Sequence, residues 1–243
     1  KNNNKENKMS VLNHSPSILT NKLILCLDAG AVQSYAGSGS NWDDIAGESF
    51  IRGGINGATF SAESGAGGTK SFNFDGTSDY IDLGTPEILN FSGSTSPTVI
   101  AWIKTSSSAE SQILRTRQST KYLIFGIASG KLRAQIYDGT NNANDENNNG
   151  PTINDGDWHH VAAVFPRGGS ITFYKDGAAT TGVSMASVTG ETGTPSPYAA
   201  IGKRPDGSQY FDGKITCVHV YSRPLSAKEI IKNYEAHKGR FGK

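Results

Sequence analysis

Cysteine is scarce, with two residues in 243. That number excludes a disulfide scaffold, and two thiols alone make no closed zinc site. Cys26 sits in the apolar run Leu23-Ile24-Leu25-Cys26-Leu27 and Cys217 in Ile215-Thr216-Cys217-Val218. Both read first as buried free thiols acting as small hydrophobes, with a disulfide or a metal-ligand role as the alternatives. Charge is also sparse. Asp, Glu, Lys and Arg make up 19% of the chain, below an average of about 25%. The formal net charge is +1, so bulk electrostatics argue for neither nucleic acid nor an anionic membrane as partner. No apolar run reaches the roughly 18 residues of a membrane span, and no membrane insertion is expected. Gly-x-Ser-x-Gly, a P-loop and zinc-spaced Cys/His sets are all missing.

What is present reads as β structure. Glycine is abundant, at 29 residues, which suits many tight turns. Polarity comes mainly from Ser, Thr, Asn and Gly, as in surface-exposed β proteins. Asp155-Gly156-Asp157-Trp158-His159-His160-Val161-Ala162-Ala163-Val164-Phe165 runs from turn chemistry into a strand of period two. Gly168-Gly169 and Asp176-Gly177 bracket a second strand, completing a hairpin. Val99 to Ile103 is apolar on both faces and fits a covered central strand. Residues 131–137 alternate, with Leu132, Ala134 and Ile136 facing inward. The stretch 140–150 has no apolar residue larger than Ala and is expected to be an exposed loop. One helix is clear. Ser226-Ala227-Lys228-Glu229 is a capping box, Leu225 and Ile230 form a hydrophobic staple, and Ile230, Ile231 and Tyr234 should pack on the sheet. A chain of this length is an ordinary single all-β domain. The expected division is an N-terminal arm over residues 1–22 and one domain over 23–243, with its helix at about 226–237.

The hairpin motif "Asp-Gly-x-Trp-His-His-Val-Ala … Phe-Tyr-Lys-Asp-Gly" resembles the central hairpin of laminin-G-like, concanavalin-A-like jelly rolls. So do Phe74-Asp75-Gly76-Thr77-Ser78-Asp79-Tyr80-Ile81, Thr98-Val99-Ile100-Ala101-Trp102, Ala200-Ile201-Gly202-Lys203-Arg204 and Tyr210-Phe211-Asp212-Gly213, all in order. The resemblance implies an all-β, two-sheet antiparallel sandwich whose first and last strands are neighbours, bringing Cys26 near Cys217. It also implies that His159 and His160 belong to the framework. The opening Leu27-Asp28-Ala29-Gly30 with Trp42-Asp43-Asp44-Ile45-Ala46-Gly47, and the closing Asn233-Tyr234-Glu235-Ala236-His237-Lys238-Gly239-Arg240-Phe241-Gly242, resemble a subgroup frequent in tailed-phage and other viral structural proteins. The implied function is a non-enzymatic structural and interaction module of a virus particle, on the capsid surface or a tail appendage. A free or cell-surface carbohydrate-binding module, extracellular in place, is the alternative.

The candidate site residues follow from these readings. The Glu-x-Asp-x-x-Glu pattern of sandwich glycosidases is absent, so no enzyme is expected. No cofactor is required, although jelly rolls of this type often hold Ca²⁺ through loop carboxylates. Asp75 and Asp79 flank a tight turn, and Asp212 lies at a strand end; these three are the calcium candidates. The family's last strand often reads Gly-x-Ile-Asp-Glu-Val, whereas here Gly213-Lys214-Ile215-Thr216-Cys217-Val218 lacks both acids. For surface glycans, Tyr35, Trp42 and Tyr210 are the aromatic platforms, and Asn144, Asp145 and Asn147 the polar loop donors and acceptors. The arm carries two small apolar clusters, Val11-Leu12 and Ile18-Leu19. They would engage other virion proteins or further copies of the chain.

Overall fold

A computed structural model describes residues 17–243 except 48–49, 63–68, 92, 119, 146–148, 191 and 193–197. In chain order the strands are β1 (Leu23–Asp28), β2 (Asn41–Asp43), β3 (Arg52–Asn56), β4 (Thr59–Ala62), β5 (Lys70–Asp75), β6 (Tyr80–Asp82), β7 (Thr98–Lys104), β8 (Ser111–Gln118) and β9 (Lys121–Ala128). They continue as β10 (Lys131–Tyr137), β11 (Asn142–Asn144), β12 (Trp158–Val164), β13 (Ser170–Lys175), β14 (Ala178–Ser184), β15 (Tyr198–Ile201) and β16 (Asp212–Tyr221). One α-helix follows, α1 (Ala227–His237). The first sheet runs β14-β13-β12-β7-β16-β5-β4, with β1 also on β16; the second runs β11-β10-β9-β8-β15-β6-β3-β2. Every described pair is antiparallel. The two-sheet sandwich with one short helix is as the sequence implied.

The inner faces meet in one core. Val99, Ala101 and Ile103 of β7 point into it together with Leu25, Trp42, Phe72, Phe125 and Phe173. The other face of β7 is buried too. Ile100 joins a second cluster with Leu23, Tyr174, Tyr221 and Ile230, and Trp102 a third with Trp158 and Cys217. That double burial explains the unbroken apolar run in this strand. β16 changes phase at a bulge between Ile215 and Cys217. Before the bulge it pairs with β5; after it, the same edge takes β1, from Cys217 opposite Asp28 to Tyr221 opposite Leu23. The Asp176-Gly177 turn has φ of 50° and 85°, the paired left-handed conformation of a tight hairpin turn.

The outer face of the first sheet is covered by the chain's own ends. Ser226 caps α1 and exchanges bonds with Glu229, whose carboxylate also takes two bonds from Arg223 at 3.0 and 2.7 Å. Ile230 is fully buried and Asn233 donates to the Tyr221 hydroxyl at 3.0 Å. Ile231, expected to pack, is 43% exposed, because the helix turns its neighbour inward. Beyond the helix, Arg240 grips Asp28 with two bonds of 2.8 Å, and Phe241 stacks on Trp102 at 3.8 Å. Part of the proposed arm also lies here. Ile18 and Leu19 pack on this face, and Leu19 donates to Asn233 at 2.9 Å and accepts from Tyr221 at 2.8 Å. The chain's own fold therefore partly covers the apolar pair that was expected to engage a neighbour. Val11 and Leu12 lie outside the described residues.

Strands β2, β3 and β4 went unread, and β14 showed only weak strand character in the sequence, at Val183. β2, β3 and β4 fall in stretches that look like loop, and β14 is built of small residues, largely exposed. Each is short or at an edge, where ladder bonds rather than a patterned apolar face hold it. The polar stretch 140–150 contributes β11, with Ala143 and Asp145 each 1% exposed. It is not a wholly exposed loop.

Candidate functional site

Among the described residues, no α-helix covers the outer face of the second sheet. Between β8, β9 and β10 this face opens a groove of about 360 Å³, bordered by the loop after β15. Strand alternation places its side chains. With Leu132, Ala134 and Ile136 buried, Arg133, Gln135 and Tyr137 face out. In β8 a bulge between Gln112 and Leu114 resets the phase, sending Arg115 and Arg117 to the groove while Leu114 and Thr116 are buried. Gly126, opposite that bulge, allows the close approach of β9: a Cβ there would sit 2.3 Å from the Ser111 carbonyl oxygen.

The groove has a braced side and an open side. On β10, Arg133 pairs with Glu110 and donates to Gln135 at 3.0 Å and to Asn144 at 3.2 Å. Gln135 donates to the Tyr122 hydroxyl at 2.9 Å and to Asn142 at 3.0 Å, and the Tyr122 and Tyr137 rings lie 5.4 Å apart. Across the groove, Arg204 forms an ion pair with Asp206 at 2.8 Å and Gln209 accepts from Gln112 at 2.8 Å. Arg115 stands between them. It is 4% exposed, its guanidinium lies 4.9 Å from the Tyr122 ring centroid, and its Nε has no hydrogen-bond partner. Burial first, then the Arg204 and Arg117 charges, pull its pKa down to about 10. Four guanidiniums thus share this groove with one carboxylate, Glu110, while Asp206 pairs with Arg204 from the bordering loop, in a chain of net charge +1.

Of the residues chosen from sequence, Asn144 reaches this site through its bond to Arg133, and Tyr210 follows Gln209 in the bordering loop. The other aromatic platforms do not hold. Trp42 is fully buried against Phe72, and Tyr35, 7% exposed, packs between Phe60 and Phe72 with centroids 4.9 Å away. Their glycine-rich surroundings suggest a surface loop, but the rings fill the core. Asp145 is buried and accepts twice from Asn149, bracing its own loop; Asn147 lies outside the described residues. The signal for the groove was legible as Arg-x-Arg in β8 and as the outward half of the alternating β10.

The calcium candidates separate. Asp75 accepts from the Thr77 and Ser78 amides and hydroxyls and from the Asp79 amide. Those donors, led by the Thr77 hydroxyl, hold its pKa well below the usual range. Asp79 is buried and accepts from the Asp75 amide; burial, then the Asp75 charge, raises its pKa. Asp212 is exposed on β16 opposite Asp75. Among the described residues one group of three possible metal donors lies within 4.8 Å of one another, Cys217, His219 and His237. Asp75, Asp79 and Asp212 do not converge; the turn uses its carboxylate on its own amides. His159 bridges two carboxylates, Asp176 at 2.7 Å and Asp155 at 2.9 Å, tying two turns together.

With fold and groove defined, comparison with known proteins gives the family. The model of the laminin-G-type branch of the concanavalin A-like lectin/glucanases superfamily matches residues 75–231, and the chain belongs to that family. No curated protein matches it in sequence. Similar solved structures include the binding domain of Paraclostridial Mosquitocidal Protein 1, with TM-score 0.63 and 13% identity over 88% of this chain and 52% of that one. Another is domain 4 of a GH43 extracellular arabinanase from Geobacillus stearothermophilus in complex with arabinotriose, with TM-score 0.63 and 14% identity over 88% and 98%. A third is botulinum neurotoxin type C, whose passage into cells depends on interaction with two ganglioside molecules, with TM-score 0.63 and 15% identity over 89% and 52%. The chain spans about half the length of the two toxin chains. At these identities the likeness shows the fold.

Proposed function

We propose that this chain is a non-enzymatic carbohydrate-binding module that takes acidic glycans in the groove of β8, β9 and β10. The observation that carries the reading is Arg115, a buried guanidinium facing a groove with an unpartnered Nε. A planar guanidinium matches a carboxylate or sulfate with charge-assisted bonds, and the groove gathers four of them, Arg115, Arg117, Arg133 and Arg204. Tyr122 and Tyr137 offer ring surface and Gln209 an amide beside the arginines, the mixture a sugar site requires. The structural neighbours that hold arabinotriose or depend on gangliosides support the glycan class. A non-catalytic role is supported by the groove's acids. Glu110 is paired with Arg133, and Asp206 is ion-paired with Arg204 and accepts from Ser208, which leaves neither acid of the groove's described residues free for a glycosidic acid–base pair.

The test is binding of the whole chain to matched neutral and acidic oligosaccharides, the latter bearing a uronate, sialate or sulfate. Acidic sugars should bind, with affinity falling as salt rises. Arg115→Ala should weaken them at least tenfold, about 1.4 kcal/mol, while the fold is retained. Equal binding of neutral sugars removes the acidic preference; binding indifferent to Arg115→Ala removes the groove.

Placement on a virus particle, as a capsid-surface or tail-appendage component, is a further proposal. It rests on the resemblance of the segments around 27–47 and 233–242 to viral structural proteins. Copurification with particles at fixed stoichiometry is expected. Recovery of the chain free of particles, on glycan resin alone, favours the cell-surface or extracellular module.

A further inference from the structure

The covered face of the first sheet holds a polar cluster that its apolar cover does not explain. Cys217 and His219 stand two residues apart in β16, and His237, the last residue of α1, meets them from above. One donor atom from each lies within 4.8 Å of the others; Cys217 Sγ and His237 Nδ1 are 3.9 Å apart. Zinc holds a thiolate at about 2.3 Å and an imidazole nitrogen at about 2.0–2.1 Å in a tetrahedron, which places neighbouring donors about 3.3–3.6 Å apart, so the three side chains would draw together slightly around an ion.

A second observation stands apart from this proximity. His219 is 1% exposed, and neither ring nitrogen has a hydrogen-bond partner. Buried polar groups are bonded in the large majority of cases; His160 on the same face is unbonded as well, but His219 alone of the two sits beside a thiol and a second imidazole. The neighbouring carboxylate does not supply a partner. Asp28, opposite Cys217 in the ladder, is held by two bonds from Arg240 and one from the Gly30 amide. The donor set is one sulfur and two nitrogens, which selects a thiophilic ion over calcium or magnesium.

We propose that Cys217, His219 and His237 form a zinc site that fastens the end of α1 to the last strand. On binding, the Cys217 thiol gives its proton to solvent and ligates as thiolate. Because the ligands come from two elements that meet only in the folded chain, the ion stabilises the fold in proportion to its affinity. The site lies on the face opposite the sugar groove and does not depend on it.

The test uses the full chain, refolded from chelator with no metal, with Zn²⁺ or with Co²⁺. One zinc per chain and a higher Tm with Zn²⁺ are expected. Co²⁺ should give a thiolate-to-cobalt charge-transfer band with the visible bands of a tetrahedral site. Cys217→Ser should abolish the charge-transfer band, and His237→Ala should lower zinc affinity at least tenfold. Cys26→Ser, altering the other buried thiol, should keep both. Should Cys217→Ser fail to refold, His237→Ala at its half-buried position decides the same question. Refolded wild-type chain with no zinc above background, no Tm shift and no cobalt band overturns the site. A band lost in Cys26→Ser but kept in Cys217→Ser overturns the assignment of ligands.

Discussion

The two sheets of this sandwich treat their outer faces in opposite ways. The first is sealed: α1, residues 18–19 and the segment through Phe241 lie over Trp102, His160 and Tyr221. The second stays open, with Arg115, Tyr122, Arg133 and Tyr137 lining a groove. A sheet needs only one face buried to be stable, so covering the second face of one sheet adds stability while the other sheet keeps its outer face for recognition. Aromatic residues occur on both faces. On the sealed face they stack on each other; on the open face they are interleaved with arginine and amides.

The largest expected effect breaks the sealed face. Trp102→Ala removes a ring that stacks on Phe241 and Tyr234 and should cost about 3–5 kcal/mol, as for a buried aromatic. Tyr122→Ala, on the half-buried open face, should cost far less stability yet reduce sugar binding. Urea midpoints and binding assays on both variants check this, and equal losses of stability would erase the distinction between the faces.

A second, intermediate effect concerns acid. His160 is buried between Trp102 and Tyr234, both ring nitrogens are unbonded, and burial, reinforced by the His237 charge, holds its pKa near 3 instead of 6.5. Below about pH 6.5 the unfolded chain takes up a proton that the folded chain refuses until about pH 3. Stability present above pH 6.5 is therefore lost on acidification, by up to about 1.4 kcal/mol per pH unit from this residue. Denaturant midpoints between pH 7.5 and 5 should show that slope added to those of His219 and His237, which burial likewise holds near 3 and 4; His160→Phe should reduce the total, and an unchanged slope would remove His160 as a contributor.

The smallest effect tests the lid's first turn. Ser226→Ala should cost about 0.5–1 kcal/mol, at the lower end of the range for a lost cap. Its oxygen accepts the Glu229 amide at 3.4 Å, and Arg223 holds Glu229 in place independently. A melting-temperature comparison measures it, and a loss as large as that of Trp102→Ala would mean the cap, not the packing, fixes the lid.

How much was legible depended on whether the cause was local. The hairpin of β12 and β13 was readable because period two and the Asp176-Gly177 turn are properties of adjacent residues, as is the capping box of α1. Tyr35 and Trp42 misled because a glycine-rich stretch looks the same whether its rings point out or into the core. Asp75 misled because turn carboxylates and calcium carboxylates share a sequence, and the difference lies in which donors the turn folds back onto them.

The sequence by itself determined the central strands and the C-terminal helix, since alternation, turn chemistry and capping act within a few residues of each other; the two-sheet sandwich was implied by the resemblance of its ordered motifs to a known family. Only the tertiary structure decided the sites. Arg115 becomes a buried charge without a bond for its Nε because a bulge in β8 and the loop carrying Arg204 and Gln209 close around it. Cys217, His219 and His237 become one cluster because α1 returns over β16 and lowers its last residue onto that strand. Burial and convergence are set by segments distant along the chain, and local patterning carries no record of which of them will meet.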